Sequence, residues 1–292
     1  MTKNSQRYTV IVFIALAIVW GSSFILIKKA IIGFSPLEVA ALRISLSALA
    51  FLPFLIKFWK TIDWSQWKYF LLVGLTGSGI PAFLYPIGQT EISSSIAGIL
   101  NSCTPIFTFL LGILLFRSQF VALKFVGIII GIIGAGVLIF YGKDPTDIGG
   151  NPLYTLFIIG GTICYGLNIN IVKSIFQNID PLSLSAVSFS MIGPPALLFL
   201  IFNGSFSNIE YSPELIQSAG AVVFLSIFGT VISTVLFFKL VQGTSAVFAS
   251  SVAYIIPIVA LFWGFLDGES IGLVHVLGMG LILTGVYLIR KS

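Results

Sequence analysis

WGSSFILIKKAIIGFSP, residues 20–36, and YGLNINIVKSIFQNIDP, residues 165–181, decide the fold of this chain. In both, an aromatic-Gly pair is followed by a lysine and then a proline at the same spacing. Trp20-Gly21, Lys28 and Pro36 recur as Tyr165-Gly166, Lys173 and Pro181, each displaced by 145 residues. Further on, Gly77, Ser93 and Pro105 recur as Gly229, Ser245 and Pro257, each displaced by 152. Each half then closes on a glycine pair of equal spacing, Gly127 with Gly134 and Gly278 with Gly285. A constant offset across ordered landmarks is the mark of a duplication.

The duplicated unit belongs in a membrane. Of the 292 residues 57% are hydrophobic and only 9% charged, against roughly 25% charged in soluble domains. A crossing helix needs about 20 apolar residues. The uncharged runs place ten helices near 8–28, 36–57, 67–88, 93–116, 120–141, 152–175, 181–202, 215–239, 245–266 and 270–290. Such packing leaves no room for an appended soluble domain. Ala15-Leu16-Ala17 resembles a signal-peptidase site but lies inside the first apolar run, so helix 1 is read as uncleaved. Five helices per half is an odd number, so residues 8–141 and 152–290 are expected to be two repeats of inverted topology in an all-α integral membrane protein. That architecture serves alternating access in secondary transporters.

Basic residues orient the chain. With the N-terminus inside, Lys3, Arg7, Lys57, Lys60, Lys68, Arg117, Lys124, Lys173, Lys239, Arg290 and Lys291 fall on the cytoplasmic side, and only Lys28, Lys29 and Lys143 outside. Both termini are therefore expected in the cytoplasm. The net charge of +5 is sorted by leaflet and does not point to nucleic acid.

These residues resemble the drug/metabolite transporter superfamily, specifically its EamA-type ten-helix carriers. The resemblance lies in Trp20-Gly21-Ser22-Ser23-Phe24, in Pro36 followed by Ala41-Leu42-Arg43, in the Pro105 and Pro257 helices, and in Glu269 followed by Gly278 and Gly285. It runs from about residue 10 to 290, as two EamA units. It implies a bacterial inner-membrane transporter that exports amino acids or other small metabolites. The chain departs from the pattern after helix 4, where Arg117 or Ser118 stands in place of the expected acid.

No phosphate loop, His-Glu-x-x-His or Gly-x-Ser-x-Gly signature occurs. The chemistry is that of binding rather than catalysis, and no cofactor or metal is called for. Two cysteines and one histidine are too few for a zinc site or a disulfide framework. Cys103 and Cys164 read as small buried residues and His275 as an interfacial side chain. Arg43 lies about 10 Å along helix 2 from Pro36, where a charge costs about 2.5–3.5 kcal/mol on insertion scales. It is read either as an anion-attracting group or as a structural arginine on free carbonyls.

Uncharged polar groups in the spans need protein or water partners. Of these, Trp20, Tyr85, Asn101, Tyr165, Asn168, Ser250 and Tyr254, together with Arg43, are the candidate substrate contacts. Pro105 and Pro257 are the candidate gating breaks, because proline removes a backbone donor and clashes one turn back. Gly127, Gly131 and Gly134 share one face of helix 5, so helices 5 and 10 are expected outside the cavity as a scaffold or a homodimer contact. The rival within transport is an uncoupled facilitator, since no acid lies mid-span. A membrane enzyme or lipid flippase would have to use Glu210, Glu214, Asp267 and Glu269, which are read as solvated loop charges.

Overall fold

A computed structural model describes residues 3–117, 122–141, 151–205 and 212–291. Lys143, Glu210 and Ser118 lie outside the described residues. Among the described residues ten helices make up the bundle. They are α1 (Lys3–Gly33), α2 (Pro36–Phe58), α3 (Trp64–Gly88), α4 (Ser94–Phe116), α5 (Ala122–Tyr141), α6 (Thr155–Ile175), α7 (Pro181–Phe202), α8 (Pro213–Gly243), α9 (Ala246–Leu266) and α10 (Leu273–Lys291). Among the described residues eight are long and apolar enough to cross a membrane, and apolar stretches of α5 and α10, Phe125–Tyr141 and Leu273–Ile289, are shorter.

The helix starts repeat at the two sequence offsets. Ser35 caps α2 by accepting from the Glu38 amide in a reciprocal capping box, and Asp180 caps α7 by accepting from the Ser183 amide. Ser93 and Ser245 cap α4 and α9 in the same way, accepting from the Ile96 and Phe248 amides. The irregularities repeat as well. A π-helical turn interrupts α3 at Leu75–Gly79 and α8 at Ile227–Ile232. α4 breaks between Asn101 and Thr104, and α9 winds through a 3-10 turn at Ser251–Tyr254. Pro105 and Pro257 each sit in the first turn of the piece that follows.

Packing obeys the same pairing. α5 packs on α10 and α2 on α7; α1 lies against α8 and α9, as α6 lies against α3 and α4. Glycines permit the closest approaches. A Cβ at Gly21 would strike Val259, and one at Gly166 would strike Thr108 and Phe107; the glycines are 145 residues apart, and Phe107 and Val259 are 152 apart. Gly127 faces the Gly285 carbonyl and Gly134 the backbone around Ile282, so the glycine faces of α5 and α10 are spent on each other.

α1 runs past Lys28 and Lys29 to Gly33, about a turn beyond its expected end, because those charges are neutralised by protein. Lys28 pairs with Asp267 and Glu269 at 2.8 Å, and Lys29 pairs with Asp267. This corrects the reading of Asp267 and Glu269 as solvated loop charges; Glu214, by contrast, is exposed. The two ends of the bundle are named below for Glu269, between α9 and α10, and for Arg117, which follows α4.

Candidate functional site

A cavity of about 100 Å³ opens midway along the bundle, smaller than a drug-sized pocket. Its wall is built from pseudo-equivalent pairs. Trp20 faces it with Tyr165, Ser23 with Asn168, Phe24 with Ile169, Gly77 with Gly229, Tyr85 with Phe237, and Thr104 with Ile256. Both π-turns therefore border the cavity, as does the break in α4. Wide turns of this kind displace backbone groups from the regular ladder and are frequent at functional sites.

Side chains from the facing helices stabilise the π-turns. Trp20 Nε1 donates to the Gly229 carbonyl at 3.0 Å. In the other half Asn168 Nδ2 donates to the Val73 carbonyl at 2.9 Å and to Thr76 Oγ1 at 3.3 Å. A Cβ at Gly77 would collide with the Asn168 amide, so this contact requires glycine. Tyr85 donates from its hydroxyl to Asn101 Oδ1 at 2.5 Å, and its ring stacks on Tyr165 with centroids 5.9 Å apart. Trp20 meets Phe237 edge-on at 4.9 Å.

Arg43 is the one charged residue of the cavity lining. Its Nε donates to Thr230 Oγ1 at 2.8 Å, and Thr230 in turn donates to the Leu225 carbonyl. Its place in the duplicate is taken by Ser188, which is buried with its hydroxyl unpartnered among the described residues. Ser250 also lines the cavity, its hydroxyl returned to the Val247 carbonyl.

Seven of the eight residues singled out from the sequence thus surround one cavity. Tyr254 does not line it; its hydroxyl donates to the Val286 carbonyl at 2.7 Å and ties α9 to α10. Pro105 and Pro257 stand behind the wall, at the breaks. His275 is buried and accepts from the Gly272 amide, closing the first turn of α10. Sequence reasoning missed the apolar wall of Phe24, Ile27, Phe237 and Phe238, since nothing in an apolar run tells a cavity face from a lipid face.

The Glu269 end of the bundle holds a buried carboxylate. Glu269 Oε1 accepts from Lys28 Nζ, the Ser94 amide and Ser94 Oγ; Oε2 accepts from the Ser95 amide and Ser95 Oγ. One side chain, 4% exposed, joins α1, the amino end of α4 and the α9–α10 connection. Burial pushes the Glu269 carboxyl up, but hydrogen bonds from Lys28, Ser95 and Ser94 outweigh it and hold the group below the ordinary glutamate range. At Asp267 burial again raises, and the Lys28 and Lys29 hydrogen bonds again win. Beneath this layer Gln89 Nε2 donates to the Phe24 carbonyl at 2.8 Å.

Comparison with known proteins agrees with this architecture. Residues 7–140 and 152–291 each match the model of the EamA-like transporter family. The chain is 28% identical to an "Uncharacterized transporter" of Archaeoglobus fulgidus, over 94% of this chain and 95% of the relative. It is 26% identical to the "Uncharacterized inner membrane transporter YedA" of Escherichia coli K12, over 94% and 88%. It is 24% identical to the "Uncharacterized transporter YoaV" of Bacillus subtilis, over 94% of each chain. A solved structure described only as that of a protein shares the fold with a TM-score of 0.66 at 15% identity, covering 99% of this chain and 98% of the other.

Proposed function

The chain belongs to the EamA-like transporter family, whose members are membrane carriers and not enzymes, and we propose that it exports small metabolites such as amino acids by alternating access. The observation that carries this reading is the mid-bundle cavity walled by matched residues from both halves. On this reading the halves are inverted repeats that exchange shape, and each exchange moves the cavity from one face to the other. The name of the Escherichia coli relative supports an inner-membrane location. The distribution of basic residues supports cytoplasmic termini, which puts the Arg117 end inside and the Glu269 end outside.

Trp20, Arg43, Tyr85, Asn101, Tyr165, Asn168 and Ser250 contact the substrate in this account, while Tyr254 braces the wall. Pro105 and Pro257 permit the bends that close one vestibule as the other opens. An uncoupled facilitator is favoured by one specific observation: no carboxylate is among the residues lining the cavity, where a proton-driven carrier would commonly hold one.

Uptake and efflux of labelled metabolites in proteoliposomes, with and without a pH gradient, test both readings. A coupled exporter concentrates substrate against its gradient when protons are supplied, whereas a facilitator only equilibrates it. Asn101→Ala, Tyr85→Ala and Asn168→Ala are each expected to slow flux about tenfold with insertion unchanged. Full flux in all three would remove the site assignment.

A further inference from the structure

We propose that the cavity selects substrates carrying one unpaired carboxylate, held by the terminal nitrogens of Arg43; this rests on the cavity being the transport site. Among the described residues the only hydrogen bond from the guanidinium is Nε to Thr230 Oγ1. Thr230 uses its own proton on the Leu225 carbonyl, so its oxygen is fixed as an acceptor and orients the guanidinium plane. Among the described residues both terminal NH2 groups remain without a hydrogen-bond partner. That is the half of the arginine fork that matches a carboxylate with two parallel hydrogen bonds.

Among the described residues no acid supplies the missing charge. No Asp or Glu among the described residues lines the cavity, and the carboxylates Asp267 and Glu269 are committed to Lys28 and Lys29. A cation in a membrane helix is normally paired with an anion or with backbone carbonyls, so the anion must arrive with the ligand. The duplicate carries Ser188 instead of arginine, so the cavity binds one negative charge on one side of the pseudo-axis. In the same cavity Trp20, Phe237 and the stacked Tyr85–Tyr165 pair offer aromatic faces for an apolar body. With no carboxylate lining the cavity, an ammonium on the substrate gains no charged partner and is not required.

Four phenyl compounds of graded charge test this by calorimetric titration of the full chain: 3-phenylpropionate, phenylalanine, 3-phenylpropanamide and 2-phenylethylamine. The anion is expected to bind at least tenfold more tightly than the neutral amide and the amine, with the zwitterion between. Arg43→Gln should reduce the preference for acid over amide to less than twofold, and Arg43→Lys should keep part of it. If Arg43→Gln does not fold, Thr230→Val supplies the test. It keeps the charge, frees the guanidinium from its orienting bond, and should weaken the acid several-fold while leaving the amide unchanged. Equal affinity for acid and amide, an acid preference that survives Arg43→Gln or is untouched by Thr230→Val, or no binding of any carboxylate from acetate to indole-3-acetate would overturn the proposal. Carboxylate binding without flux would instead break the transport reading and leave this one standing.

Discussion

At one end of the bundle Lys28, Ser94, Ser95 and Glu269 form a buried, charged knot; at the other end the same backbone positions hold different chemistry. Lys173 keeps the place of Lys28, but Arg117 stands where the duplicate has Glu269, and Ala246 and Val247 replace Ser94 and Ser95. Lys173 therefore turns to the Gln242 carbonyl at 3.1 Å, and the Gln242 side chain donates to the Phe176 and Ile179 carbonyls. Arg117 is exposed, with φ 55° at the end of α4. The two halves share the path of the chain, the caps and the π-turns, while their electrostatics differ. Neutral hydrogen bonds contribute about 1 kcal/mol each, whereas breaking a buried ion pair by removing one partner costs about 3–5 kcal/mol. The two ends should therefore open with unequal ease.

The largest expected effect comes from cutting the knot. Glu269→Ala leaves Lys28 short of one partner and four donors of Ser94 and Ser95 unsatisfied, a loss on the order of 3 kcal/mol. The melting temperature in detergent should fall by several degrees, while Arg117→Ala at the matching exposed site changes it by about a degree or less. Equal losses at the two positions would erase the comparison. A stronger test transplants the knot. Arg117→Glu with Ala246→Ser and Val247→Ser gives Lys173 a carboxylate at the place of Glu269 and the two serines that hold it, and should shift the bundle toward closure at the Arg117 end. The readout is thiol labelling from each face.

The proline breaks should have a smaller effect. Pro105→Ala and Pro257→Ala restore one backbone donor each at equivalent places on opposite sides of the pseudo-axis, so their shifts in accessibility should have opposite sign. Shifts of the same sign would make the prolines packing features only.

The smallest effect is that of pH. The Glu269 and Asp267 carboxyls are held below their ordinary values, so their stabilisation is fully present above the unfolded values of about 4 and is lost as pH falls through the folded ones. The difference in melting temperature between the native chain and Glu269→Gln should be flat from pH 8 to 5 and shrink below about pH 4. A change centred near pH 6 would show that Glu269 titrates in the working range.

Much of this was readable before any coordinates. The offsets of 145 and 152 located the paired caps, breaks and glycine contacts, because close backbone approach leaves a mark in residue type. Trp20, Arg43, Tyr85, Asn101, Tyr165, Asn168 and Ser250 could be picked out because polar and aromatic groups in a span must face protein or water. Tyr254 passed the same filter, yet its hydroxyl serves a neighbouring carbonyl; residue type does not reveal which partner it finds. Asp267 and Glu269 read as loop charges because their partners, Lys28, Lys29, Ser94 and Ser95, lie more than 170 residues away in sequence. The π-turns were marked only by Gly77 and Gly229, and one glycine in each helix does not announce a wider turn.

The central claim, that one cavity is opened alternately at ends of unequal strength, is tested most directly by one cysteine. Ser250→Cys, with Cys103 and Cys164 replaced by alanine, places a thiol in the cavity wall. It would be exposed to a membrane-impermeant thiol reagent applied to each face in turn. The account predicts labelling from the Arg117 face in the otherwise native chain. Glu269→Ala should add labelling from the opposite face, and the transplanted knot should suppress labelling from the Arg117 face. Labelling confined to a single face and indifferent to both changes would contradict it.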